Sequence, residues 1–325
     1  MRTTMSCLAL LGMCIAAQPA EAQTSAAYPT APVRLVVGFP PGGPTDIMAR
    51  LFASNLAEGL NGNFVVDNRP GAGSTIATDL VAKAKPDGYT LLVATLGGQG
   101  ISPSMYRNLP YDPVKDFAPV CQLASVPNVL VVHPGVPVKS VQELIAYAKE
   151  RPGELNYANT GSGTSQHMAM ELFKHMTGLN IVAVNYRGSA PAIVDLIAGR
   201  SQMMIDNTSA LGPHIHAGKL RALAVSSRSR VPAFPDLPTM DEAGVPGYEI
   251  VSWFGLMAPA GTPREIVDKI AGACLRIADS PEFVRRLAEL GATPAGSTSD
   301  QFDAKVRAEI AKWGTIIRAA GVKVE

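Results

Sequence analysis

Short apolar runs alternate with amphipathic helical segments along most of this chain. Val33–Phe39 is rich in β-branched residues, and Pro40–Gly43 interrupts it before a helical pattern that runs from Pro44 to about Leu60. The same order recurs downstream, and the run Thr90–Thr95 is apolar enough to be buried on both faces. Strands that alternate with helices of about 10–15 residues are typical of α/β proteins with mostly parallel sheets.

The number of predicted strands indicates two lobes. About ten strands exceed what one open sheet usually holds, so we expect two sheets. Helices dominate after Met257 and are expected to pack back on the first sheet. We therefore predict a discontinuous lobe 1 (residues 23–122 and 251–325) and a lobe 2 (residues 123–250). Two crossings of extended chain between the lobes, near residues 118–130 and 246–258, would form a hinge.

The composition agrees with many short elements and excludes several classes of protein. The 325 residues include 30 Gly and 26 Pro, and 47% of residues are hydrophobic. This apolar content is too high for a disordered chain, and the composition does not suit a coiled coil. The net charge is +1 and no basic stripe is present, so we expect no nucleic-acid partner.

The first 22 residues have the pattern of a secretory signal peptide. Arg2 precedes an apolar run, Met5–Ala17, that is too short to span a membrane. Ala20-Glu21-Ala22 then supplies the small residues of a cleavage site. Cys14 follows the bulky Met13, which does not fit a lipoprotein signal, so we expect a freely secreted mature chain.

Two cysteines, Cys121 and Cys274, follow the predicted signal peptide. An oxidising compartment would permit a disulfide between them. Free cysteine is nevertheless among the residues most often buried in apolar cores. We therefore predict two separate buried thiols.

Two glycine-rich turns are the main candidates for a ligand-binding site. Phe39–Asp46 and Ala158–His167 each lead from a predicted strand into a predicted helix. The first turn of a helix has unpaired N–H groups and the positive end of the helix dipole, so both turns are expected to attract an anion. Glycine lets a ligand approach the backbone, and hydroxyl side chains in the second turn add hydrogen-bond donors. Two such turns facing across a cleft would suit a ligand with a carboxylate at each end.

The candidate ligand-binding residues lie in these turns and at the ends of three further strands. Arg187 and Asp206 each follow a predicted strand, where parallel sheets commonly bind ligands, and arginine can hold a carboxylate through two hydrogen bonds. The full set is Phe39, Pro41, Gly42, Gly43, Thr45, Asp46, Thr95, Gly161, Ser162, Gly163, Thr164, Ser165, His167, Arg187 and Asp206.

Purely structural roles are also open for several of these residues. A glycine-rich turn commonly does no more than connect a strand to a helix. Asp46 suits the first turn of a helix, where a carboxylate is stabilised by the helix dipole. His167 could cap or pack against its helix, and Arg187 could be a surface residue.

The sequence offers no catalytic, cofactor or metal signature. Neither glycine-rich turn contains the lysine of a P-loop, and the G-x-G segments Gly71–Ile76 and Gly161–Gln166 both lack the third glycine of a dinucleotide-binding motif. The G-x-S-x-G and H-E-x-x-H patterns are missing from the sequence, and the five histidines have no metal-ligand spacing. We therefore expect a binding protein that is not an enzyme and uses no cofactor or metal.

Several longer motifs occur in a definite order along the chain. They are Tyr28-Pro29, Val33–Asp46, Val66–Gly73, Lys85–Leu92, Leu109–Val120, Gly161–His167, Tyr186–Gly188, Pro191–Gly199 and Phe234–Thr239. In this order they resemble the Bug substrate-binding proteins of tripartite tricarboxylate transporters. The resemblance covers essentially the whole mature chain.

The resemblance implies a type II periplasmic binding-protein fold, in which two α/β lobes close on a ligand in the cleft between them. It implies a carboxylate, dicarboxylate, amino-acid or aromatic-acid ligand held by the loops matched here by Phe39–Asp46 and Gly161–Ser165, often through water. The ligand would then pass to separate membrane permease subunits. We expect the binding protein itself to be a periplasmic monomer.

The segment Thr95–Pro103 departs from the family pattern. Many relatives carry Asn and His here, whereas this chain has Leu96, Gly97 and Gly98. This smaller and less polar wall favours a larger ligand, such as an aromatic dicarboxylate, over a small polar amino acid. Two other functions stay open: a sensor that reports its ligand to a membrane signalling partner, and a secreted enzyme acting on carboxylates.

Overall fold

The structure is a computed structural model that describes residues 28–322. The predicted signal peptide lies outside the described residues. The strands are β1 (Val33–Val37), β2 (Phe64–Asn68), β3 (Thr90–Thr95), β4 (Phe117–Val132), β5 (Asn156–Asn159), β6 (Val182–Asn185), β7 (Met203–Asn207), β8 (Arg221–Val225), β9 (Val251–Pro259) and β10 (Thr293–Pro294).

Helices separate most of these strands, as the sequence predicts. They are α1 (Pro44–Leu60), α2 (Thr75–Ala82), α3 (Ser102–Met105), α4 (Val141–Lys149), α5 (Ser165–Thr177), α6 (Ser189–Ile197), α7 (Thr208–His216), α8 (Arg264–Ala278), α9 (Pro281–Glu289) and α10 (Ser299–Ala319). A 3-10 turn at Ala72–Ser74 precedes α2, and a π-helical turn at Leu96–Ile101 precedes α3.

Two sheets share the long strand β4. In the first sheet the order is β2-β1-β3-β9-β4, with β1 parallel to both its neighbours and β9 antiparallel to β3 and β4. In the second sheet the distal part of β4 runs antiparallel to β7 and β8, and β5 runs parallel to β6 and β7. The predicted α/β fold is confirmed, but the sheets are mixed because β4 and β9 run against their neighbours.

Strand β4 is much longer than its sequence suggests. The sequence predicts a strand over Val129–Val132, whereas the structure has 16 residues in Phe117–Val132. Pro119 and Pro127 resemble strand breakers, yet Pro119 lies at a register shift in the ladder to β9 and Pro127 forms the last pair of that ladder, with Val251. One strand can therefore extend from the first sheet into the second.

The largest cluster of buried apolar residues spans both sheets. It includes Leu92 and Trp313 on the side of the first sheet, and Leu130, Met168 and Phe173 on the side of the second. A second cluster packs α1, α8 and α9 against the first sheet. The packing of both sheets into one cluster holds the loops at their facing ends close together.

The prediction of two separate thiols is wrong. Cys121 of β4 and Cys274 of α8 form a disulfide, with their Cα atoms 6.5 Å apart. Both residues are fully buried where α8 packs on the first sheet. Because their pairing depends on how α8 docks onto β4, spacing along the chain could not reveal it.

We expect reduction of this disulfide, or the double substitution Cys121→Ala with Cys274→Ala, to lower the free energy of unfolding by about 2–4 kcal/mol. The bond closes a loop of 153 residues, so breaking it releases conformational entropy in the unfolded chain. Urea unfolding with and without a phosphine reductant measures the effect. Equal stability in the two conditions would contradict this role for the bond.

Candidate functional site

The loop between β1 and α1 is held in place by Asp46. Its carboxylate accepts hydrogen bonds from the Gly42 N–H at 3.0 Å, from Arg50 at 2.9 and 3.0 Å, and from the Asn68 amide at 3.0 Å. The Asn68 amide also donates to the Phe39 carbonyl at 3.0 Å, which fixes the start of the loop. Burial raises the pKa of Asp46, but the bonds from Arg50, Gly42 and Asn68 outweigh it and hold the pKa below its ordinary value. The carboxylate is thus ionised and engaged within the loop.

The loop between β5 and α5 is held by Thr164. Its hydroxyl accepts a hydrogen bond from the His167 N–H at 3.1 Å and donates to the Gly161 carbonyl at 2.8 Å. Gly161 and Gly163 have φ values of 127° and 74°, which side chains rarely permit. His167 accepts a weak bond from the Gly163 N–H through Nδ1 at 3.4 Å. His167 therefore takes part in shaping this loop.

The β5–α5 loop is in contact with elements of the first sheet. Ser165 Oγ lies 2.9 Å from Ser252 Oγ of β9, and the Tyr106 hydroxyl donates to the Ser162 carbonyl at 3.1 Å. A Cβ atom on Gly97 would lie 3.1 Å from the Gly163 carbonyl oxygen, so the π-helical turn also packs against the second loop. Elements of the first sheet thus contact the β5–α5 loop at several points.

Two small spaces, here called the inner cavities, lie between these loops. Each has a volume of about 20 Å³, and Phe39, Thr45 and Gln166 line both of them. The remaining lining residues are Pro40, Gly43, Pro44, Thr160 and Ser189 in one cavity and Thr95, Gly97, Thr164, Ser165, Ser252 and Phe254 in the other. None of these described lining residues carries a charged side chain.

The N-termini of three helices converge on the inner cavities. Helices α1 and α6 begin after Gly43 and Gly188, neither of which supplies a side-chain cap for the first-turn N–H groups. Helix α5 begins at Ser165, beside the same cavities. Backbone N–H groups, hydroxyls and positive helix ends therefore surround a space that can hold an anionic group.

A larger space, here called the outer groove, adjoins the inner cavities. It has a volume of about 570 Å³ and shares Phe39, Pro40 and Thr160 with one inner cavity. Its other lining residues are Gly38, Pro70, Gly71, Ala72, Gly73, Ser74, Ile76, Tyr106, Gly161, Ser162, Tyr186 and Arg187.

Asp206 lies behind the inner cavities and does not line them. The residue is fully buried at the end of β7, and its carboxylate accepts a hydrogen bond from the Asn207 N–H at 2.7 Å. Burial raises the pKa of Asp206 to about 6, although the Ser189 hydroxyl, the Asn207 N–H and the Gln166 side chain favour the ionised form. Ser189 and Gln166 do line the cavities, so Asp206 can act on a ligand only through them.

Gln166 connects the second loop to the shared strand. Its amide donates to Asn207 Oδ1 at 3.0 Å, and the Asn207 amide donates to Asn128 Oδ1 of β4 at 2.9 Å. Ser165 in turn donates to Gln166 Oε1 at 3.1 Å. This buried chain of hydrogen bonds fixes the orientation of the Gln166 side chain within the cavities.

The structure brings together most, but not all, of the sequence-predicted residues. Those that line the inner cavities or the outer groove are Phe39, Gly43, Thr45, Thr95, Gly161, Ser162, Thr164, Ser165 and Arg187. The others do not line these spaces: Pro41, Gly42, Asp46, Gly163, His167 and Asp206.

Several lining residues are not among the candidates that the sequence predicts. Thr160 and Gln166 flank candidate residues of the second turn. Ser189 follows Gly188 at a helix start, which is the same glycine-before-helix pattern as Gly43 at the start of α1. Ser252 lies within an apolar strand and had no such signal.

Between residues 28 and 322, no three His, Cys, Asp or Glu side chains are grouped so that they could hold a metal ion. No helix within these residues is long and apolar enough to span a bilayer.

We expect Asp206→Asn to stabilise the protein at about pH 7.5, by up to about 3 kcal/mol, and to have little effect near pH 4. The folded carboxyl, with a pKa of about 6, binds a proton more tightly than the unfolded one, whose ordinary value is 3.8. Wild-type stability therefore falls as the pH rises through this range, and asparagine removes that loss while keeping an acceptor for the Asn207 N–H.

Urea unfolding at several pH values between about 4 and 7.5 measures this difference. Asp46→Asn is the matched control with the opposite sign, because the pKa of Asp46 is lowered and its charge stabilises the fold at neutral pH. If Asp206→Asn raised the free energy of unfolding by the same amount at every pH, a raised pKa of Asp206 would be contradicted.

Comparison with known proteins identifies the family. Residues 48–322 match the tripartite tricarboxylate transporter family receptor. Protein BugT of Bordetella pertussis is 40% identical over 320 residues, which cover 98% of each chain. The structure of R. palustris Rpa4515 with adipate has a TM-score of 0.90 and 45% identity, and the match covers 92% of this chain and 100% of that one.

The structure of the periplasmic binding protein BugD is also similar, with a TM-score of 0.88 and 36% identity over 92% of this chain and 100% of that one. The family match extends over nearly all the described residues, and BugT matches essentially the full length. This chain therefore belongs to the receptor family of the tripartite tricarboxylate transporters, a family of periplasmic solute-binding proteins.

Proposed function

We propose that this protein captures a carboxylate in the inner cavities, between two lobes that close on it, and delivers it to the membrane permease subunits of a tripartite transporter. The observation that carries the proposal is the convergence of α1, α5 and α6 on cavities whose lining residues have no charge. The adipate in the structure of Rpa4515 supports a carboxylate ligand. Membership in a receptor family supports capture in preference to catalysis.

Hydrogen bonds would supply most of the affinity for the carboxylate. A carboxylate removed from water loses its hydration unless its oxygens are hydrogen-bonded in the site. The hydroxyls of Thr45, Thr95 and Ser189 line the cavities, and α1 and α6 begin there without side-chain caps. Hydrogen bonds to a charged group contribute about 1.5–3 kcal/mol each, so a few such donors suffice for tight binding.

The two-lobe division proposed for this chain is residues 23–122 with 251–325, and residues 123–250. The path of the chain supports it, because β4 leaves the first sheet after Pro127 and β9 returns to that sheet at Val251. Contacts of Tyr106 with Ser162 and of Ser252 with Ser165 would form on closure. A ligand that contacts both lobes favours the closed form because it binds that form more tightly.

We also propose that residues 1–22 are a cleaved signal peptide and that the mature chain works in the periplasm as a monomer. The periplasmic relative BugD and the receptor family support the location. For the ligand, we propose an aromatic or other large dicarboxylate.

A screen of aliphatic and aromatic mono-, di- and tricarboxylates by thermal shift, followed by calorimetry, tests the proposed function. A ligand at 100 times its dissociation constant stabilises the folded state by about 2.7 kcal/mol. We expect Ser165→Asp to weaken binding of every carboxylate by at least roughly tenfold, because it places a like charge beside the anion.

Ser165→Ala is the control, since it removes the same hydroxyl without adding charge and should weaken binding much less. An acidic residue at the first position of α5 suits the helix dipole, so Ser165→Asp should not unfold the helix. Failure of all carboxylates to bind the wild-type protein, or equal binding by the two variants, would count against an anion site at this loop.

We expect Gly97→Ala to weaken ligand binding by roughly three- to tenfold, because closure needs close contact at this glycine. A methyl group there would lie 3.1 Å from the Gly163 carbonyl oxygen and 3.1 Å from Thr164 Cα. Calorimetry and small-angle scattering with and without ligand measure affinity and closure together.

Gly98→Ala is the matched control in the same buried turn. A methyl group at Gly98 would meet its nearest neighbour, Ser74 Oγ, at 3.6 Å, which is an ordinary contact. If both variants bind and close alike, contact at Gly97 does not limit closure.

A further inference from the structure

We propose that the outer groove holds the distal part of the ligand and that Arg187 recognises a second anionic group there. Such a contact would make the site prefer a diacid to a monoacid of the same length. This inference rests on the proposed function, because it requires the first carboxylate to lie in the inner cavities.

Phe39 makes the inner cavities and the outer groove parts of one site. Phe39 lines both inner cavities and the groove, and Pro40 and Thr160 line the groove together with one cavity. The inner cavities, at about 20 Å³ each, have room for little more than a small polar group. A longer ligand anchored there by one carboxylate must therefore continue past Phe39 into the groove of about 570 Å³.

Apolar groups form part of the walls of the outer groove. Pro70, Ile76, Tyr106 and Tyr186 line it, and the Ile76 residue is 55% exposed. An exposed large aliphatic side chain at the wall of a concave site is stabilised when an apolar ligand group covers it. The middle of the ligand is therefore expected to be a hydrocarbon chain or an aromatic ring.

The backbone of Gly71–Ser74 forms one edge of this groove in an uncommon conformation. Ala72 and Ser74 have φ values of 45° and 83°, which residues with a Cβ atom seldom adopt. A Cβ atom on Gly73 would clash with the Ser162 carbonyl oxygen, so this edge approaches the second loop closely. The groove is thus bounded by residues of both loops and by the Gly71–Ser74 backbone.

Arg187 is the one charged residue among the described residues that line the groove. It makes no ion pair or hydrogen bond with the described part of the chain, although Asp195 lies on the following helix. Asp195 is already engaged, because it accepts hydrogen bonds from Arg200 at 2.6 Å and from the Tyr186 hydroxyl at 3.0 Å. The bond to Asp195 anchors Tyr186, the residue before Arg187. The guanidinium of Arg187 is therefore available to a ligand carboxylate.

Charge at the two ends of the site would then decide which ligands bind. The first carboxylate is held without a cation by helix N-termini and hydroxyls, whereas the second is held by a guanidinium at the exposed end. A monocarboxylate of the same length would miss the second contact, and an amino group at the far end would be repelled by Arg187.

Calorimetry with matched ligands tests this division of roles. Adipate, hexanoate and 6-aminohexanoate share one chain length and differ in the distal group, and terephthalate with benzoate forms the aromatic pair. We expect the wild-type protein to prefer the diacid in at least one pair. Arg187→Gln should weaken binding of that diacid by roughly fivefold, the size expected for an exposed charged contact, and leave the monoacid unchanged.

Arg187→Glu should go further and favour 6-aminohexanoate over adipate, which loss of packing alone would not produce. Arg276→Gln removes the same charge from an exposed position on α8, away from the groove, and should alter neither preference. Thermal unfolding of each variant without ligand checks that the fold is retained.

The inference is overturned if the wild-type protein shows no preference for either diacid, or if Arg187→Gln weakens diacid and monoacid equally. Because monoacids bind only through the inner cavities, their binding to the wild-type protein tests the proposed function separately. If no carboxylate binds at all, both the proposed function and this inference fail.

Discussion

The strand β4 is shared by both sheets, and the position of the site depends on that sharing. Its first part pairs with β9 and its last part pairs with β7 and β8. The turns that follow β1 in one sheet and β5 in the other can therefore meet at a common cleft. Asn128 of β4 accepts a hydrogen bond from Asn207, which accepts one from Gln166, so the shared strand also orients a cavity-lining side chain.

The distribution of charge around the cavities follows from the same arrangement. Two acidic residues lie close to the site, and neither lines it. Asp46 is paired with Arg50 within its loop, while burial of Asp206 raises its pKa and favours the neutral form. Neither carboxylate lines the cavities, so backbone N–H groups, hydroxyls and helix ends are the groups placed to act on an anion there. Arg187, by contrast, lies in the wider groove.

Local patterns in the sequence were enough to predict the two loops but not everything that surrounds them. The loops Phe39–Asp46 and Gly161–Ser165 are predictable from local sequence. Glycine permits the backbone angles of a tight turn, and proline and hydroxyl residues favour the start of a helix. Ser252 and Phe254 could not be found in this way, since an apolar strand conceals which of its residues face a cleft. Asp206 was selected from its place at a strand end, yet the turn after β7 buries it behind Ser189 and Gln166.

By itself, the sequence determined the order of strands and helices, the glycine-rich turns and the resemblance to a receptor family, because these depend on periodicity and on residues close together in the chain. Tertiary structure alone decided the extent of β4, the mixed sheets, the Cys121–Cys274 disulfide and the joining of the inner cavities to the outer groove at Phe39. Each of these requires segments far apart in the chain to meet, and only the packing of α8 on β4 and of one sheet beside the other brings them together.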